Sequence, residues 1–321
     1  MGVDIGGTKM LAAIFDADGK MVANMKQPTL AEQGVKAVIE RLEGLIEDLI
    51  KKNDLEPSGL CGIGIACAGG IDTGRGMVAT PSPNLPDWLD VPLRDIIQDK
   101  FKVKTCIIND ASAAALGEHR FGGGRGTKNL VMLTVGTGIG GGIIVEGKVY
   151  LGAVGAAGEF GHMTIDAAGP KCGCGNSGCL EMLASGRAVE REAIKRIKEG
   201  QDSIILAMSG NNMGNVTAEM VGKAAKKGDK VANEVIRLAA YYLGIGMVNV
   251  VNIFNPEMII IGGGMAELGE RLIGTGRRMV IERAFSVSAR AVQIVPAELG
   301  NEAGVYGAAV YASENTKRRK E

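Results

Sequence analysis

The sequence predicts an α/β fold built from two similar units that face a common cleft. Three observations support this prediction. Short apolar runs, typical of buried strands, alternate with segments in which apolar residues recur every three or four positions, as in helices. A strand–glycine turn–strand pattern occurs twice, and the glycine clusters follow strand-like runs. Glycine in such places lets the backbone approach a ligand closely, which is typical of phosphate-binding loops.

The first half of the chain opens with three short strands. They are joined by a Gly-Gly turn after Ile5 and an Asp-Gly turn at residues 18 and 19. Apolar residues spaced three and four apart then predict a helix over residues 35 to 50. The elements that follow are a buried strand GLCGIGIA, a proline-rich loop at residues 80 to 92, a strand VKTCIIN and a helix from about Ala111.

The second half repeats this pattern. Laying VDIGGTKMLAAIFDADGKMV over LTVGTGIGGGIIVEGKVY matches glycine turn to glycine turn. Such internal similarity indicates duplication of one α/β unit. Helices at about 216 to 226 and 229 to 252 precede another buried strand, MIIIGGG, and a last helix spans about 303 to 313.

These elements predict two domains. A small α/β domain is expected over residues 1–110 and a large α/β domain over residues 111–302. The C-terminal segment 303–321 contains the small apolar run GVYGAAVYA and is expected to pack against the first domain and complete it. The first glycine motif begins at residue 4, so the first strand has few residues before its turn, which leaves the stability of the first sheet in question.

Composition argues against several function classes. Lys plus Arg and Asp plus Glu both number 36, so no net field would attract nucleic acid or a membrane surface. The N-terminus lacks a signal-peptide pattern, and the most apolar stretch, residues 238 to 254, contains two asparagines and predicts a buried helix, not a membrane span. We therefore expect a cytoplasmic protein. Cys61, Cys67 and Cys106 lie in apolar runs and are expected to be buried.

Two common nucleotide-binding motifs do not account for the glycine turns. Residues 136–141, GTGIGG, satisfy the dinucleotide pattern G-x-G-x-x-G, but a strand follows where that mechanism needs a helix N-terminus. This argues against a dehydrogenase. No stretch matches the P-loop pattern, which excludes a P-loop enzyme.

The segment DIGGTK, residues 4 to 9, predicts a phosphate-binding hairpin. Its turn offers successive N–H groups and a threonine hydroxyl to a phosphate, and the carboxylate of Asp4 can reach a Mg²⁺ ion through water. The alternative is an ordinary hairpin with glycine in its turn. The second, similar turn after Val135 favours the functional interpretation.

The segment GHMTIDAAGPKCGCGNSGCLE gathers one histidine and three cysteines: His162, Cys172, Cys174 and Cys179. The intervening glycines let the chain fold tightly around a small ion, and a Cys₃His set is typical of a structural zinc site. The alternatives are a disulfide plus a free thiol, or reactive thiols. A cytoplasmic location argues against a disulfide, and an odd number of cysteines fits a metal better. The sequence therefore favours a Zn²⁺ ion.

Asp110 ends an apolar strand and opens a helix. One interpretation makes it the N-cap of that helix, because Asp is among the best capping residues. The other makes it a carboxylate at the strand end that accepts a hydroxyl proton. The two roles do not exclude each other. His119, on the same helix, is interpreted as structural.

The segments DIGGTK, AGGI, PNL, IINDASAAALGE, VGTGIGGGI, GEFGH, CGCGNSGCLE and IIIGGG, in this order, resemble the ROK family of bacterial sugar kinases and sugar-responsive repressors. The resemblance runs through nearly the whole chain and is closest to the family's glucokinases. It implies two ribonuclease-H-like domains of the actin/hexokinase-like fold around a cleft, with a small zinc-binding loop over residues 162–181. It also implies ATP-dependent phosphorylation of a hexose at the 6-hydroxyl, with glucose expected and fructose, mannose or an N-acetylated amino sugar as alternatives.

The resemblance also implies roles for single residues. Asp110 is the implied catalytic base, and the histidine and three cysteines above are the implied zinc ligands. The implied sugar-binding residues are Gly69, Asn84, Asn109, Asp110, Glu159, His162 and Glu181. The implied ATP-binding residues are Gly7, Thr8, Lys9, Thr137 and Gly138 at the phosphates, with Gly263 and Gly264 beside the adenosine.

A zinc clamp would fix the loop and aim Glu159 and Glu181 at sugar hydroxyls, since each carboxylate accepts more than one hydrogen bond. The alternative from another functional class is the family's repressor branch, whose members carry a helix-turn-helix domain before the first glycine turn. Here three residues precede Asp4 and no basic recognition helix is evident, which favours the kinase. The expected partners are a sugar, a nucleotide with Mg²⁺ and further copies of the chain, as a homodimer or homotetramer.

Overall fold

The structure, a computed structural model, describes residues 1–82, 84, 85 and 87–317. It forms two compact units. The first comprises Met1–Gly126, Gly142–Gly158 and Asn301–Glu321, and the second comprises Thr127–Gly141 and Glu159–Gly300. The last four residues of the predicted segment 303–321 lie outside the described residues.

Strands and helices alternate along much of the chain, as predicted. The strands are β1 (Gly2–Ile5), β2 (Lys9–Phe15), β3 (Met21–Pro28), β4 (Ile63–Cys67), β5 (Gly70–Asp72), β6 (Met77–Thr80), β7 (Thr105–Asn109), β8 (Leu130–Val135), β9 (Ile139–Val145), β10 (Lys148–Val149), β11 (Met258–Gly262) and β12 (Gln293–Pro296). The α-helices are α1 (Gly34–Lys52), α2 (Leu93–Phe101), α3 (Asp110–Phe121), α4 (Leu180–Ala184), α5 (Gly186–Lys198), α6 (Ile204–Met208), α7 (Ala218–Lys226), α8 (Lys230–Phe254), α9 (Ile273–Arg283), α10 (Ser286–Ala291) and α11 (Ala303–Lys317). A 3₁₀ helix, Gly264–Arg271, follows β11.

The two five-stranded sheets have equivalent strand orders. The first runs β3-β2-β1-β4-β7 and the second β10-β9-β8-β11-β12. In both, the last three strands are parallel, and the outermost pair, β2–β3 or β9–β10, is antiparallel. The equivalent orders agree with the internal duplication seen in the sequence.

β1 has only four residues but lies in the interior of the first sheet. It pairs with β2 on one side and with β4 on the other. Val3 and Ile5 are fully buried, and the amino group of Met1 donates a hydrogen bond to the carbonyl of Gly62 at 2.9 Å. Pairing on both sides compensates for the small number of residues in this strand.

In the first unit, α3 and α11 approach closely because glycines face the neighbouring backbone. A Cβ atom on Gly307 would lie 1.7 Å from the carbonyl oxygen of Ala113, and one on Gly117 would lie 2.2 Å from that of Ala303. This contact joins α3 to the first unit, so the compact units divide the chain after Gly126. The sequence predicts the domain boundary at residue 110 instead. It does not reveal the contact between α3 and α11, because these helices are far apart in the sequence and their contact leaves no local pattern.

Gly307→Ala is expected to lower the free energy of unfolding by roughly 1–3 kcal/mol, because the added methyl group overlaps the Ala113 carbonyl. Gly44→Ala is the matched control: Gly44 is also helical, but a Cβ there would have no atom within 4 Å. We expect that control to stabilise the protein by roughly 0.5–1 kcal/mol. Urea unfolding measures both variants, and a Gly307→Ala protein as stable as wild type would contradict the close approach of the two helices.

α8 is the main core helix of the second unit. It packs against α4, α5, α7 and α9, and a Cβ on Gly246 would lie 2.7 Å from the side chain of Leu180. Among the described residues it is the one helix long and apolar enough to cross a membrane, and half of its most apolar window is buried within the protein. The predicted buried helix at residues 238 to 254 is therefore part of a longer helix, α8, that packs against several other helices of the unit.

Of the three cysteines expected to be buried, Cys67 is buried, Cys106 is half-buried and Cys61 is exposed. The prediction is wrong for Cys61 because β4 begins at Ile63, so Cys61 lies in the bend before the strand.

Candidate functional site

The turn between β1 and β2 is held from behind by Thr29. The N–H of this buried residue donates to the carbonyl of Thr8 at 2.9 Å, and its hydroxyl donates to the carbonyl of Gly6 at 2.6 Å. Within the turn, the N–H of Gly6 donates to the carbonyl of Lys9 at 3.0 Å. The side chains of Thr8 and Lys9 remain exposed and can reach a ligand.

Two half-buried carboxylates, Asp4 on β1 and Asp110 on α3, both have raised pKa values. The pKa of Asp4 is raised to about 7, mainly by burial and then by the negative charge of Asp110, while Lys9 acts in the opposite direction. Burial also raises the pKa of Asp110, against the lowering effect of a hydrogen bond from the Ala111 N–H. Carboxylates perturbed in this way are typical of functional sites.

The N-cap of α3 is Asn109. Its Oδ1 accepts hydrogen bonds from the N–H groups of Ala111 at 3.0 Å and Ser112 at 3.1 Å. Asp110 lies inside the first turn, where its Oδ1 accepts from the Ala111 N–H at 2.9 Å. The interpretation of Asp110 as the N-cap is therefore wrong, because Asn109 has the extended backbone and the two bonds that define a cap. Capping does not account for Asp110.

The other predicted sugar-binding residues of the first unit are Gly69, Asn84 and Asn109. Asn109 donates through Nδ2 to the carbonyl of Gly69 at 3.2 Å. Gly69 has φ +109°, and a Cβ there would lie 2.6 Å from the carbonyl oxygen of Thr80, so a larger residue does not fit. Asn84 lies against the first glycine turn: a Cβ atom on Gly7 would be 2.6 Å from the Cβ atom of Asn84. The structure therefore brings Gly69 to Asn109, and Asn84 to the predicted phosphate-binding turn.

In the second unit, the turn between β8 and β9 is attached to Glu181. The N–H of Gly136 donates to the carbonyl of Gly138 at 2.9 Å, and the N–H of Ile139 donates to Glu181 Oε2 at 2.9 Å. A Cβ on Gly138 would lie 2.2 Å from the same carboxylate oxygen. Glu181, a predicted sugar-binding residue, thus contacts the predicted phosphate-binding turn directly.

A cavity of about 580 Å³ lies beside this turn and has the size of a ligand pocket. Its lining residues come from the turn, α5, α7 and the 3₁₀ helix after β11: Gly136, Thr137, Gly186, Glu190, Ala218, Glu219, Gly222, Lys223, Lys226, Gly264, Met265, Glu267 and Leu268. Of the predicted ATP-binding residues, Thr137 and Gly264 line the cavity, and Gly138 and Gly263 do not. Gly263 has φ +81° and its Cβ position lies 2.5 Å from the Val135 carbonyl oxygen, so it permits the close approach of its chain segment to β8.

Most of this cavity wall was missed by the sequence prediction. α5 is attached to the turn by the N–H of Gly186, which donates to the carbonyl of Gly136 at 2.7 Å. α5 is attached to α7 by Glu190, whose Oε1 accepts from the N–H of Ala218 at 2.9 Å. α7 carries no recognisable motif, and the small residues Ala218 and Gly222, four positions apart, are the signal that could have indicated a ligand-facing side.

His162, Cys172, Cys174 and Cys179 come together as predicted. Their ligand atoms all lie within 4.8 Å of one another. Cys172 Sγ is 3.7 Å from His162 Nδ1, and Cys174 Sγ is 3.7 Å from Cys179 Sγ. Sulfur ligands at about 2.3 Å from a tetrahedral Zn²⁺ would be roughly 3.8 Å apart. The cluster fits a Cys₃His zinc site with Nδ1 as the histidine ligand atom.

The thiols of the cluster differ in acidity. A hydrogen bond from the Asn176 backbone, followed by one with Cys172, lowers the pKa of Cys174, whereas burial and the neighbouring thiols raise the pKa of Cys179 to about 12. A bound Zn²⁺ would favour the thiolate form of each ligand. All six cysteines are free, so the alternative of a local disulfide is not formed.

Backbone contacts keep the zinc loop compact. The N–H of Cys172 donates to the carbonyl of Asn176 at 2.8 Å, and the N–H of Gly175 donates back to the carbonyl of Cys172 at 3.0 Å. Gly178 has φ +65°, and a Cβ there would lie 1.5 Å from the carbonyl oxygen of Asp166. Only glycine fits this position, which allows the loop to close around the ligand atoms.

The zinc loop also positions the two carboxylates that flank it. Nε2 of His162 lies 3.9 Å from the carboxylate of Glu159, so the two ring nitrogens face different groups. Glu181 follows the buried residues Cys179 and Leu180 at the other end of the loop and contacts the glycine turn. The structure therefore brings Glu159 to His162 and places Glu181 at the predicted phosphate-binding turn.

Comparison with known proteins identifies the family. The model of the ROK family matches residues 1–315. The chain is 36% identical to a glucokinase of Thermotoga maritima over 314 residues, which cover 98% of this chain and 97% of that protein. It is also 38% identical to a xylose repressor of Caldicellulosiruptor bescii over 311 residues, which cover 96% of this chain and 76% of the repressor.

Solved structures of ROK proteins have the same fold. A ROK family glucokinase from Streptomyces griseus in complex with glucose and AMPPNP matches with a TM-score of 0.84 and 34% identity, over 98% of both chains. A ROK hexokinase from Thermus thermophilus matches with a TM-score of 0.82 and 34% identity, over 99% of this chain and 98% of that one. The predicted actin/hexokinase-like fold is confirmed, and the chain belongs to the ROK family.

Proposed function

We propose that this protein is an ATP-dependent hexokinase that converts glucose to glucose 6-phosphate with Asp110 as the base. Relatives named glucokinase and hexokinase support this activity. A relative solved with glucose and AMPPNP supports a sugar and a nucleotide as substrates. The observation that supports the role of Asp110 is that two neighbouring residues at the start of α3 have different roles. Asn109 caps the helix, and the neighbouring carboxylate has a raised pKa at the end of β7.

In the proposed reaction, the 6-hydroxyl oxygen of the sugar forms a bond to the γ-phosphorus of ATP. The bond from that phosphorus to the oxygen bridging the β- and γ-phosphates breaks, and ADP leaves. Asp110 orients the hydroxyl and accepts its proton. A raised pKa suits this role, because a general base is most effective when its pKa approaches the working pH.

The residues proposed to bind the phosphates of ATP are Gly7, Thr8, Lys9, Thr137 and Gly138. The cavity of about 580 Å³, with Gly264 in its wall, is proposed to hold the adenosine. Asp4 is proposed to bind Mg²⁺ through water. The Asp4 carboxylate fits that role because its raised pKa means that the protein disfavours its negative charge, and a nearby cation would stabilise that charge. When bound, Mg²⁺ neutralises charge on the phosphates.

The residues proposed to bind the sugar are Gly69, Asn84, Asn109, Asp110, Glu159, His162 and Glu181. The zinc ion is proposed to be structural. It would leave Nε2 of His162, which faces Glu159, available for the sugar. A cytoplasmic location and a homodimeric or homotetrameric assembly stay predictions.

Gly138→Ala is expected to raise the KM for both sugar and ATP, because its methyl group would displace the Glu181 carboxylate from the turn. Misplacing catalytic groups by about 1 Å can cost roughly 10²-fold. Gly59→Ala is the control, since a Cβ there has no atom within 4 Å and Gly59 lies outside every proposed site, and it should leave both KM values unchanged. Steady-state kinetics with each substrate varied in turn measures the effect. A normal sugar KM in Gly138→Ala would argue against Glu181 as a sugar ligand.

A coupled assay of ADP release across glucose, fructose, mannose and N-acetylated amino sugars tests the proposed activity. We expect the highest kcat/KM with glucose. A higher value with another sugar would overturn the substrate but not the reaction, and no ADP release with any sugar would overturn both.

The 38% identity to a xylose repressor favours a sugar-binding regulator as the second candidate. Sugar binding in calorimetry without ADP release would support that candidate.

A further inference from the structure

A second cavity in the second unit, of about 370 Å³, is lined by four arginines and shares no lining residue with the proposed nucleotide cavity. Arg196 comes from α5, Arg237 from α8, and Arg278 and Arg283 from α9. We call this cavity the arginine groove. The proposed reaction gives it no role.

The arginines of the groove differ in their pairing. Arg196 donates to Glu192 Oε1 at 2.8 Å and to Glu234 Oε2 at 2.6 Å, and only 20% of its side chain is exposed. Arg237 and Arg278 are exposed, and neither forms a hydrogen bond or ion pair with any residue that the structure describes. Arg196 is thus part of the framework, whereas Arg237 and Arg278 are available to a ligand.

The charges in the groove are unbalanced. Its lining contains four arginines but only two glutamates, Glu234 and Glu282, and Glu234 is already paired with Arg196. An arginine cannot relieve repulsion by losing its proton, because its pKa is above about 12. A bound anion would offset the remaining positive charge. With Glu192, which also pairs with Arg196, the four arginines face three glutamates, and the guanidinium groups of Arg237 and Arg278 are left to bind an anion such as a phosphate group.

The chemistry of the walls favours an organic phosphate. Guanidinium groups bind phosphate oxygens in pairs, with two parallel hydrogen bonds. The ring of Tyr241 is 39% exposed, and the guanidinium carbon of Arg283 lies 5.6 Å from its centre. Leu238 and Met279 add apolar surface. The cavity has the size of a small ligand pocket, near the lower end of the range.

We propose that the arginine groove binds a small phosphate-bearing molecule, with Arg237 and Arg278 as its ligands and Tyr241 against its organic part. The proposal does not depend on the kinase activity, because the groove is separate from every residue assigned to that reaction. Arg237 and Arg278 are exposed and unpaired among the described residues, so their replacement is not expected to disturb folding.

Isothermal titration calorimetry at constant ionic strength tests the proposal, with inorganic phosphate and ribose 5-phosphate as probes. Arg237→Gln and Arg278→Gln should each weaken binding of both probes at least tenfold, and the double variant should abolish binding at the groove. The control is Lys51→Gln/Lys52→Gln, which removes the same charge from exposed positions in the first unit and should bind like wild type. Thermal melting checks that all variants are folded.

Tyr241→Ala distinguishes the two sources of phosphate. If the natural ligand is organic, this variant should bind ribose 5-phosphate several-fold more weakly and inorganic phosphate as before. If both probes bind as before, the groove binds the free phosphate ion. The arginines then remain the anion site, but Tyr241 has no role in binding. Binding that is unchanged in the double arginine variant, or weakened equally in the lysine control, would overturn the proposal.

Discussion

Asp110→Asn is expected to lower kcat by about 10²- to 10⁴-fold, the usual cost of removing a general base. Asn has nearly the same shape as Asp and keeps an Oδ1 atom for the hydrogen bond from the Ala111 N–H, but it cannot accept the proton of the sugar hydroxyl. The helix keeps its cap because Asn109 is untouched. ATP binding should therefore persist while phosphoryl transfer fails.

The melting temperature separates this catalytic role from a structural one. Burial raises the pKa of Asp110 above its usual value of 3.8. Its contribution to stability is therefore fully present below that value and is lost as the pH rises through the raised pKa. Asn cannot ionise, so the Tm of Asp110→Asn relative to wild type should rise as the pH increases from 3.8 through the raised pKa of Asp110.

Asp99→Asn is the control for this change, because Asp99 is 81% exposed and forms only a loose ion pair with Lys102 at 3.7 Å. It should leave kcat and Tm close to wild type. Asn109→Ala tests the cap itself and should cost about 0.5–2 kcal/mol of stability. A stable Asp110→Asn protein with a kcat near wild type would remove Asp110 from the mechanism.

Local patterns predicted the parts of the fold that local physics determines. Residues at helical spacing, such as Leu42, Leu45 and Leu49, predicted α1 and its buried face. The repeated glycine turns predicted two similar sheets, and the order of strands in the structure agrees with that repeat. The cluster of His162, Cys172, Cys174 and Cys179 could be predicted because these residues and several glycines lie in one short segment.

The features that the sequence did not predict depend on contacts between distant parts of the chain, or on which of two adjacent residues takes a given role. Asn109 and Asp110 are both good capping residues, and the position of the extended backbone decides between them. α7 forms a wall of the cavity of about 580 Å³ because Glu190 attaches that helix to α5. The assignment of α3 to the first unit follows from glycine packing against α11, which has no local signature.

Cys174→Ser is expected to remove the zinc ion and to lower both Tm and sugar affinity. Wild-type protein should contain about one Zn²⁺ per chain, since four ligand atoms within 4.8 Å of one another make one tetrahedral site. Cys174 is exposed, so its replacement opens no cavity in the core. A loss of stability in this variant would therefore report the loss of the metal.

The expected loss is large because a zinc ion would add bonds to four side chains to the backbone hydrogen bonds that keep the loop compact. Binding of structural zinc contributes directly to folding, and without it the sulfur of the buried Cys179 would lose its bond to the metal. Each kcal/mol lost lowers Tm by roughly 2–4 °C in a protein unit of this size. Because His162 is a proposed ligand of both zinc and sugar, the sugar KM should rise while the ATP KM stays close to wild type.

Cys61→Ser is the matched control, since Cys61 is the other exposed cysteine and lies outside the cluster. It should keep its zinc, its Tm and its sugar KM. A strong chelator should lower the Tm of wild type and Cys61→Ser but leave Cys174→Ser unchanged, because that variant has no zinc to lose. Metal analysis of purified protein decides the question: fully active protein without zinc, or equal zinc content in Cys174→Ser and Cys61→Ser, would show that this cluster is not a structural zinc site.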